Sequence, residues 1–129
     1  MDQQQFDLVV IGGGPGGYGA ALYATSAGLS VAVVEKGALG GTCLNRGCIP
    51  AKAFLESAAV NRHVQHAAEF GIESSAPVVN FAVAQVRKQK IVDGIVKSLG
   101  AFMKSKKITV LDGLGTLGAA TAYEALKNG

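Results

Sequence analysis

Between a short apolar segment and a run of small residues near its start, this chain carries a string of glycines that limits the possible folds severely. Phe6 to Ile11, Phe-Asp-Leu-Val-Val-Ile, is nearly continuously apolar and rich in branched side chains. That is the pattern of a strand buried on both faces of a parallel sheet. It runs into Gly12-Gly13-Gly14-Pro15-Gly16-Gly17, where Gly12, Gly14 and Gly17 satisfy Gly-x-Gly-x-x-Gly. The next segment, to about Ala27, reads as a helix whose Ala20, Ala21 and Ala24 allow close packing on a sheet. Gly28 is placed to end it as a left-handed cap. Ser30 to Glu35 is a second strand, and a βαβ unit is complete.

In such a unit each glycine has its own task. The first permits a tight turn, the second lets backbone approach a pyrophosphate, and the third lets helix and strand pack closely. The helix start adds N–H groups and the positive end of its dipole. Glu35 closes the second strand, where a carboxylate can accept both ribose hydroxyls of an adenosine. A glycine string alone could be a flexible loop. Here strand, glycines, helix, strand and terminal acid arrive in order, and the reading is dinucleotide binding.

Both cysteines follow at once, in Gly40-Gly-Thr-Cys-Leu-Asn-Arg-Gly-Cys-Ile-Pro-Ala-Lys52. On an unbroken helix, Cys43 and Cys48 would point roughly 140° apart. Gly47 and Pro50 frame Cys48 as the start of a helix running on through Lys52, with Cys43 on an irregular segment before it. A disulfide between them would close a very small ring, which favours exchange over permanence. The helix start would also stabilise a thiolate at Cys48. Two idle buried thiols or a structural staple are the plainer alternatives. Zinc held with His63 and His66 is another, but the spacings miss those of a Cys-Cys-His-His finger. The histidines read better as exposed positions on a polar helix face.

The 129 residues make one domain, long enough to bury a core. Hydrophobic residues at 49% against charged residues at 16% exclude general disorder. Net charge is a mild +3, and Arg87, Lys88, Lys90, Lys104, Lys106 and Lys107 interleave with apolar residues and lack an aromatic platform. They read as a solvated helix face rather than a nucleic-acid surface. Met1 to Gln5 carries no basic segment before the apolar run, so no signal peptide is expected. The glycine-split apolar run is too short for a bilayer. A cytoplasmic setting, with no membrane and no nucleic-acid partner, is the expectation.

Farther along, the helix from Cys48 is expected to reach about Phe70 and stop at Gly71, with Ala53, Leu55 and Ala59 on its buried face. Lys52 shares a face with Cys48. Gly71 to Val79 is a loop, and Asn80 caps a helix to about Lys104. Val92, Ile95, Val96, Leu99, Phe102 and Met103 form its apolar stripe, a core face more often than a docking seam. Ile108 to Leu111 is a third strand, followed by Gly113-Leu-Gly115, and Thr121 to Leu126 a fourth. Asn128-Gly129 then signals a hairpin with no returning strand, as if the chain stopped inside it.

Gly-Gly-Gly-Pro-Gly-Gly-Tyr at Gly12 to Tyr18, with Gly40 to Lys52, resembles the flavin-dependent pyridine nucleotide–disulfide oxidoreductases. Leu44-Asn45, Ile49-Pro50 and Tyr18 lean towards the lipoamide-oxidising members. Relatives acting on glutathione or mercuric ion share the cysteine spacing but usually carry Val-Asn and Val-Pro. The fold implied is α/β: a Rossmann-like βαβ dinucleotide-binding domain over residues 1–129, with a parallel sheet, two further helices and a C-terminal β-hairpin cut short.

The resemblance further implies FAD as cofactor, with Gly12, Gly14 and Gly17 at its pyrophosphate and Glu35 at the adenosine ribose. Lys36, Gly40, Gly41 and Thr42 would line it, Gly115 would touch the adenine, and Lys52 would sit beside the flavin ring. Cys43 would be attacked by a substrate dithiol, and Cys48 would be freed as a thiolate against the flavin. NAD⁺ would accept the electrons, and the dithiol would be dihydrolipoamide or a lipoyl group of a 2-oxo acid dehydrogenase complex. In the family, homodimerisation supplies a His base across the interface. The NAD and dimerisation domains are not in this sequence, so alone it would turn over poorly or not at all. Arg46 and Ala51 replace the usual Val and Ser, and the Glu35-to-Cys43 connection is slightly short. Two other classes compete: a dinucleotide-binding module with idle cysteines, and an interaction domain using the Val92 to Met103 stripe.

Overall fold

The computed structural model describes residues 4–118 and 123–126. Strand β1 (Leu8–Ile11) leads into helix α1 (Pro15–Ser26) and strand β2 (Val31–Glu35). These three are the βαβ unit expected from the sequence. Pro15 opens α1, where its missing N–H is no loss, and Gly28 at φ 87° ends it. The short α2 (Gly41–Arg46) and the longer α3 (Cys48–Gln65) follow, then a 3₁₀ turn (Ala67–Phe70) and the long α4 (Phe81–Ser105). The chain returns to the sheet as β3 (Thr109–Asp112), and β4 (Leu114–Leu117) pairs antiparallel with β5 (Tyr123–Leu126).

The main sheet is parallel in the order β1-β2-β3, with Val10 beside Val33 and Val33 beside Val110. The double burial expected of the first strand belongs to the second. Residues Val31 to Val34 are all buried, whereas β1 lies at an edge and its Ile11 is 44% exposed. A strand flanked on both sides has each face covered by crossover helices; an edge strand does not. The core gathers Ala21 and Ala24 of α1, Val31 and Val33 of β2, Met103 of α4, and Ile108. Alanines at the first two positions let α1 lie close to the sheet.

The structure corrects several other expectations. Cys43 stands on α2, a short helix, not on an irregular segment, so three α-helices rather than two follow the βαβ unit. The helix from Cys48 ends at Gln65, and the 3₁₀ turn carries the chain to Gly71, left-handed at φ 73°. Leu55 does not join Ala53 and Ala59 on a buried face; it is 62% exposed. Along α4 only Val92 and Met103 are fully buried, Leu99 packs on the core, and Ile95 and Phe102 stay partly exposed, at 39% and 47%. Arg87 is no simple member of a solvated face: its Nη1 donates to the Ala53 carbonyl at 3.0 Å and ties α4 to α3. Phe54 stacked on Phe81, with centroids 5.5 Å apart, reinforces the same contact.

Asn80 does cap α4, its side chain accepting from the Val83 N–H. The C-terminal hairpin is present, and β5 forms it with β4, a strand not assigned from the sequence. The Asn128-Gly129 turn and residues 121 and 122 of the expected fourth strand lie outside the described residues. No helix among the described residues is long and apolar enough to cross a membrane.

Candidate active site

The site is built where β1 and β2 end. Gly12, at φ 101°, turns the chain out of β1 in a conformation that L side chains avoid, and its N–H donates to the Val34 carbonyl at 2.7 Å. At Gly17 a Cβ would run into the Gly12 carbonyl oxygen, so the helix can approach the turn this closely only without a side chain. Gly14 is the N-cap of α1 and offers no side chain to its first-turn N–H groups. Those donors stand at the positive end of the helix dipole, where a phosphate group would satisfy them.

Glu35 reaches back over this turn. Its Oε2 accepts from the Gly13 N–H at 2.7 Å and its Oε1 from the Gly37 N–H at 2.9 Å. A carboxylate has about four lone-pair sites, so both oxygens keep room for a further donor. Gly13 falls between the motif glycines, and a Cβ there would lie 2.7 Å from Leu39 Cδ2, so a side chain would need Leu39 to shift.

The cysteine segment is joined to the turn directly. The Gly40 N–H donates to the Gly13 carbonyl at 2.8 Å. Gly40 and Gly41 both take positive φ, 96° and 59°, and a Cβ on Gly41 would stand 2.8 Å from Gly14 Cα. Thr42 follows, exposed in the first turn of α2. Gly47, with φ −124° and ψ −103°, breaks the helical path between Arg46 and Cys48. That break removes the divergence an unbroken helix would impose. Cys43 and Cys48 form a disulfide with their Cα atoms 4.7 Å apart, within the usual span.

Cys43 is half-buried and Cys48 exposed at the first position of α3. The long helix behind Cys48 favours negative charge on its sulfur once the disulfide opens. With the sulfurs bonded to each other, the histidines have no metal partner in them; His66 instead meets Glu69 at 2.9 Å, and both histidines are exposed. Lys52 is exposed one turn along α3 from Cys48, and Lys36 is exposed just beyond β2. Gly115 lies on β4 over the sheet end, where a Cβ would meet Ile11 and Val34 at 3.0–3.2 Å. The Gly113 N–H donates to the Glu35 carbonyl at 3.0 Å and holds that corner in place.

Asn45 escaped the sequence reading. Its side-chain amide donates to the Leu39 carbonyl at 3.0 Å and the Gly41 carbonyl at 2.9 Å. An Asn inside a six-residue helix is a poor helix former and a good backbone partner, which was the available signal.

The family model described as Pyridine nucleotide-disulphide oxidoreductase matches residues 6–125. The chain belongs to this family. Among its relatives, the dihydrolipoyl dehydrogenase of Chlamydia pneumoniae is 44% identical over 123 residues, 95% of this chain and 27% of that protein. A dihydrolipoyl dehydrogenase of Bacillus subtilis is 45% identical over 95% of this chain and 26% of its own length. The leghemoglobin reductase of Vigna unguiculata is 44% identical over 84% of this chain and 21% of its own. The chain thus spans about a quarter of the length of these members of the pyridine nucleotide-disulphide oxidoreductases.

Proposed function

We propose that residues 1–129 are the FAD-binding, disulfide-bearing portion of a dihydrolipoamide dehydrogenase. The observation that carries the reading is a disulfide at the start of α3 whose segment is hydrogen-bonded to a pyrophosphate-type glycine turn, Gly40 to Gly13 at 2.8 Å.

The glycine turn fits FAD by its donors: first-turn N–H groups without a side-chain cap, a Cβ-free N-cap at Gly14, and a carboxylate at Glu35 for the ribose. Gly12, Gly14 and Gly17 would take the pyrophosphate, Lys36 and Gly40 to Thr42 would line the cofactor, Gly115 would meet the adenine, and Lys52 would stand near the flavin ring. Bound there, FAD would supply a two-electron acceptor between the cysteine dithiol and NAD⁺.

The chain's own residues carry out the exchange. One thiolate of dihydrolipoamide attacks Cys43 Sγ, the Cys43–Cys48 bond breaks, and Cys48 leaves as a thiolate held by the start of α3. The second substrate thiol, losing its proton, attacks the first substrate sulfur. The lipoamide disulfide closes, and Cys43 departs as a thiolate that takes up a proton. Substrate loses two electrons, and the cysteine pair gains them.

The lipoyl groups of 2-oxo acid dehydrogenase complexes are the natural source of such a dithiol, and a homodimer and cytoplasmic setting accompany the reading. It is supported by the relatives named above. A disulfide reductase acting on glutathione or mercuric ion is the runner-up.

The test is an absorbance titration of the chain with FAD and dihydrolipoamide. Two-electron reduction should raise a long-wavelength band that Cys48→Ser abolishes. If flavin binds but no band appears and the disulfide stays oxidised, the chain is a binding module and the proposal falls.

A further inference from the structure

Once a substrate dithiol opens the disulfide, the covalent tie between α2 and α3 is gone. Something else must keep Cys43 opposite Cys48, or the pair cannot close again promptly. Among the described side-chain hydrogen bonds around α2, those of one residue are placed to help. Asn45 Nδ2 donates to the Leu39 and Gly41 carbonyls, at 3.0 and 2.9 Å, on either side of Gly40. It also approaches the Ala38 carbonyl at 3.4 Å. Between those carbonyls, the Gly40 N–H is held by Gly13 at 2.8 Å. The bend that leads into the Cys43 helix is therefore gripped from inside by Asn45 and from outside by the glycine turn.

We propose that Asn45 is a positioning residue that keeps the reduced cysteine pair poised to reform its disulfide. The inference rests on the redox reading of Cys43 and Cys48 above. In the oxidised chain the disulfide itself restrains α2, so losing Asn45 changes little there. In the dithiol the amide is the inner restraint on the bend, so losing it widens the range of Cys43 positions. The effective concentration of one sulfur at the other falls, and the equilibrium moves towards the dithiol.

The experiment equilibrates the full chain and its Asn45→Asp and Asn45→Ala variants in graded dithiothreitol buffers and counts free thiols. Far-UV circular dichroism of each oxidised form is recorded alongside. Asp keeps the size and replaces the amide donors with acceptors; Ala removes the group. Both variants should keep the parent's helical signal when oxidised and shift the equilibrium constant about tenfold towards the dithiol, about 30 mV. An unshifted constant in either variant overturns the proposal. So does loss of helical signal in both oxidised forms, which would make Asn45 a general support of the fold. If the parent's own disulfide resists dithiothreitol throughout, the redox reading fails first, and the proposal with it.

Discussion

Gly13 is held on both sides: its N–H by Glu35 Oε2 at 2.7 Å and its carbonyl by the Gly40 N–H at 2.8 Å. One residue, through its two flanking peptides, thus links the carboxylate at the end of β2 to the segment that carries Cys43 and Cys48. A residue outside the Gly-x-Gly-x-x-Gly pattern joins the two halves of the site.

Glu35 is the half-buried lever of that link. Gln at this position presents an amide N–H to one of the two backbone donors and removes the charge. Hydrogen bonds to charged groups contribute about 1.5–3 kcal/mol, so Glu35→Gln should weaken FAD binding at least tenfold. Titration with flavin fluorescence as the readout checks this, and unchanged affinity would remove Glu35 from the cofactor site.

Gly17→Ala sets a methyl group against the Gly12 carbonyl. Backbone cannot yield as a flexible side chain does. The variant should lose about 1–3 kcal/mol of stability in urea unfolding. Gly16→Ala is the control, because nothing lies within contact of a Cβ there.

Opening the Cys43–Cys48 disulfide releases a ring of sequence separation 5. Chain-entropy arithmetic for so short a loop gives about 2 kcal/mol. Urea unfolding with and without dithiothreitol should therefore differ by no more than that, and the reduced chain should stay folded. Unfolding on reduction would make the bond a structural staple.

Asp7 Oδ2 accepts from the Ser30 hydroxyl at 2.6 Å and the Ser30 N–H at 2.7 Å, tying the entry of β1 to that of β2. The hydroxyl first, and the backbone bond second, hold the Asp7 carboxyl below its ordinary value of 3.8. A lowered folded-state value means stability that is present above the unfolded value and lost as pH falls through the folded one. Asp7→Asn should thus flatten the acid limb of the stability-against-pH curve below about pH 4 and leave its shape near neutrality unchanged. An identical acid limb in both proteins would show that the Asp7–Ser30 pair is not coupled to folding.

The sequence by itself determined the βαβ unit, its glycine turn and the helix start at Cys48. These follow from local rules: branched apolar runs, residues free of a Cβ, a proline acceptable only in a first turn. Asn80 as a cap and Gly71 as a stop were legible for the same reason. Which strand would be buried on both faces was not, because that depends on who lies alongside: β2 between β1 and β3, not β1 at the edge. Arg87 read as solvated until α3 placed the Ala53 carbonyl within its reach. The sulfur pair was legible as a redox candidate, but its attachment to the glycine turn through Gly13, Gly40 and Asn45 was decided only by the tertiary structure. Those bonds join groups brought together by the crossing of loops after β1 and β2, and no spacing along the chain encodes such a meeting.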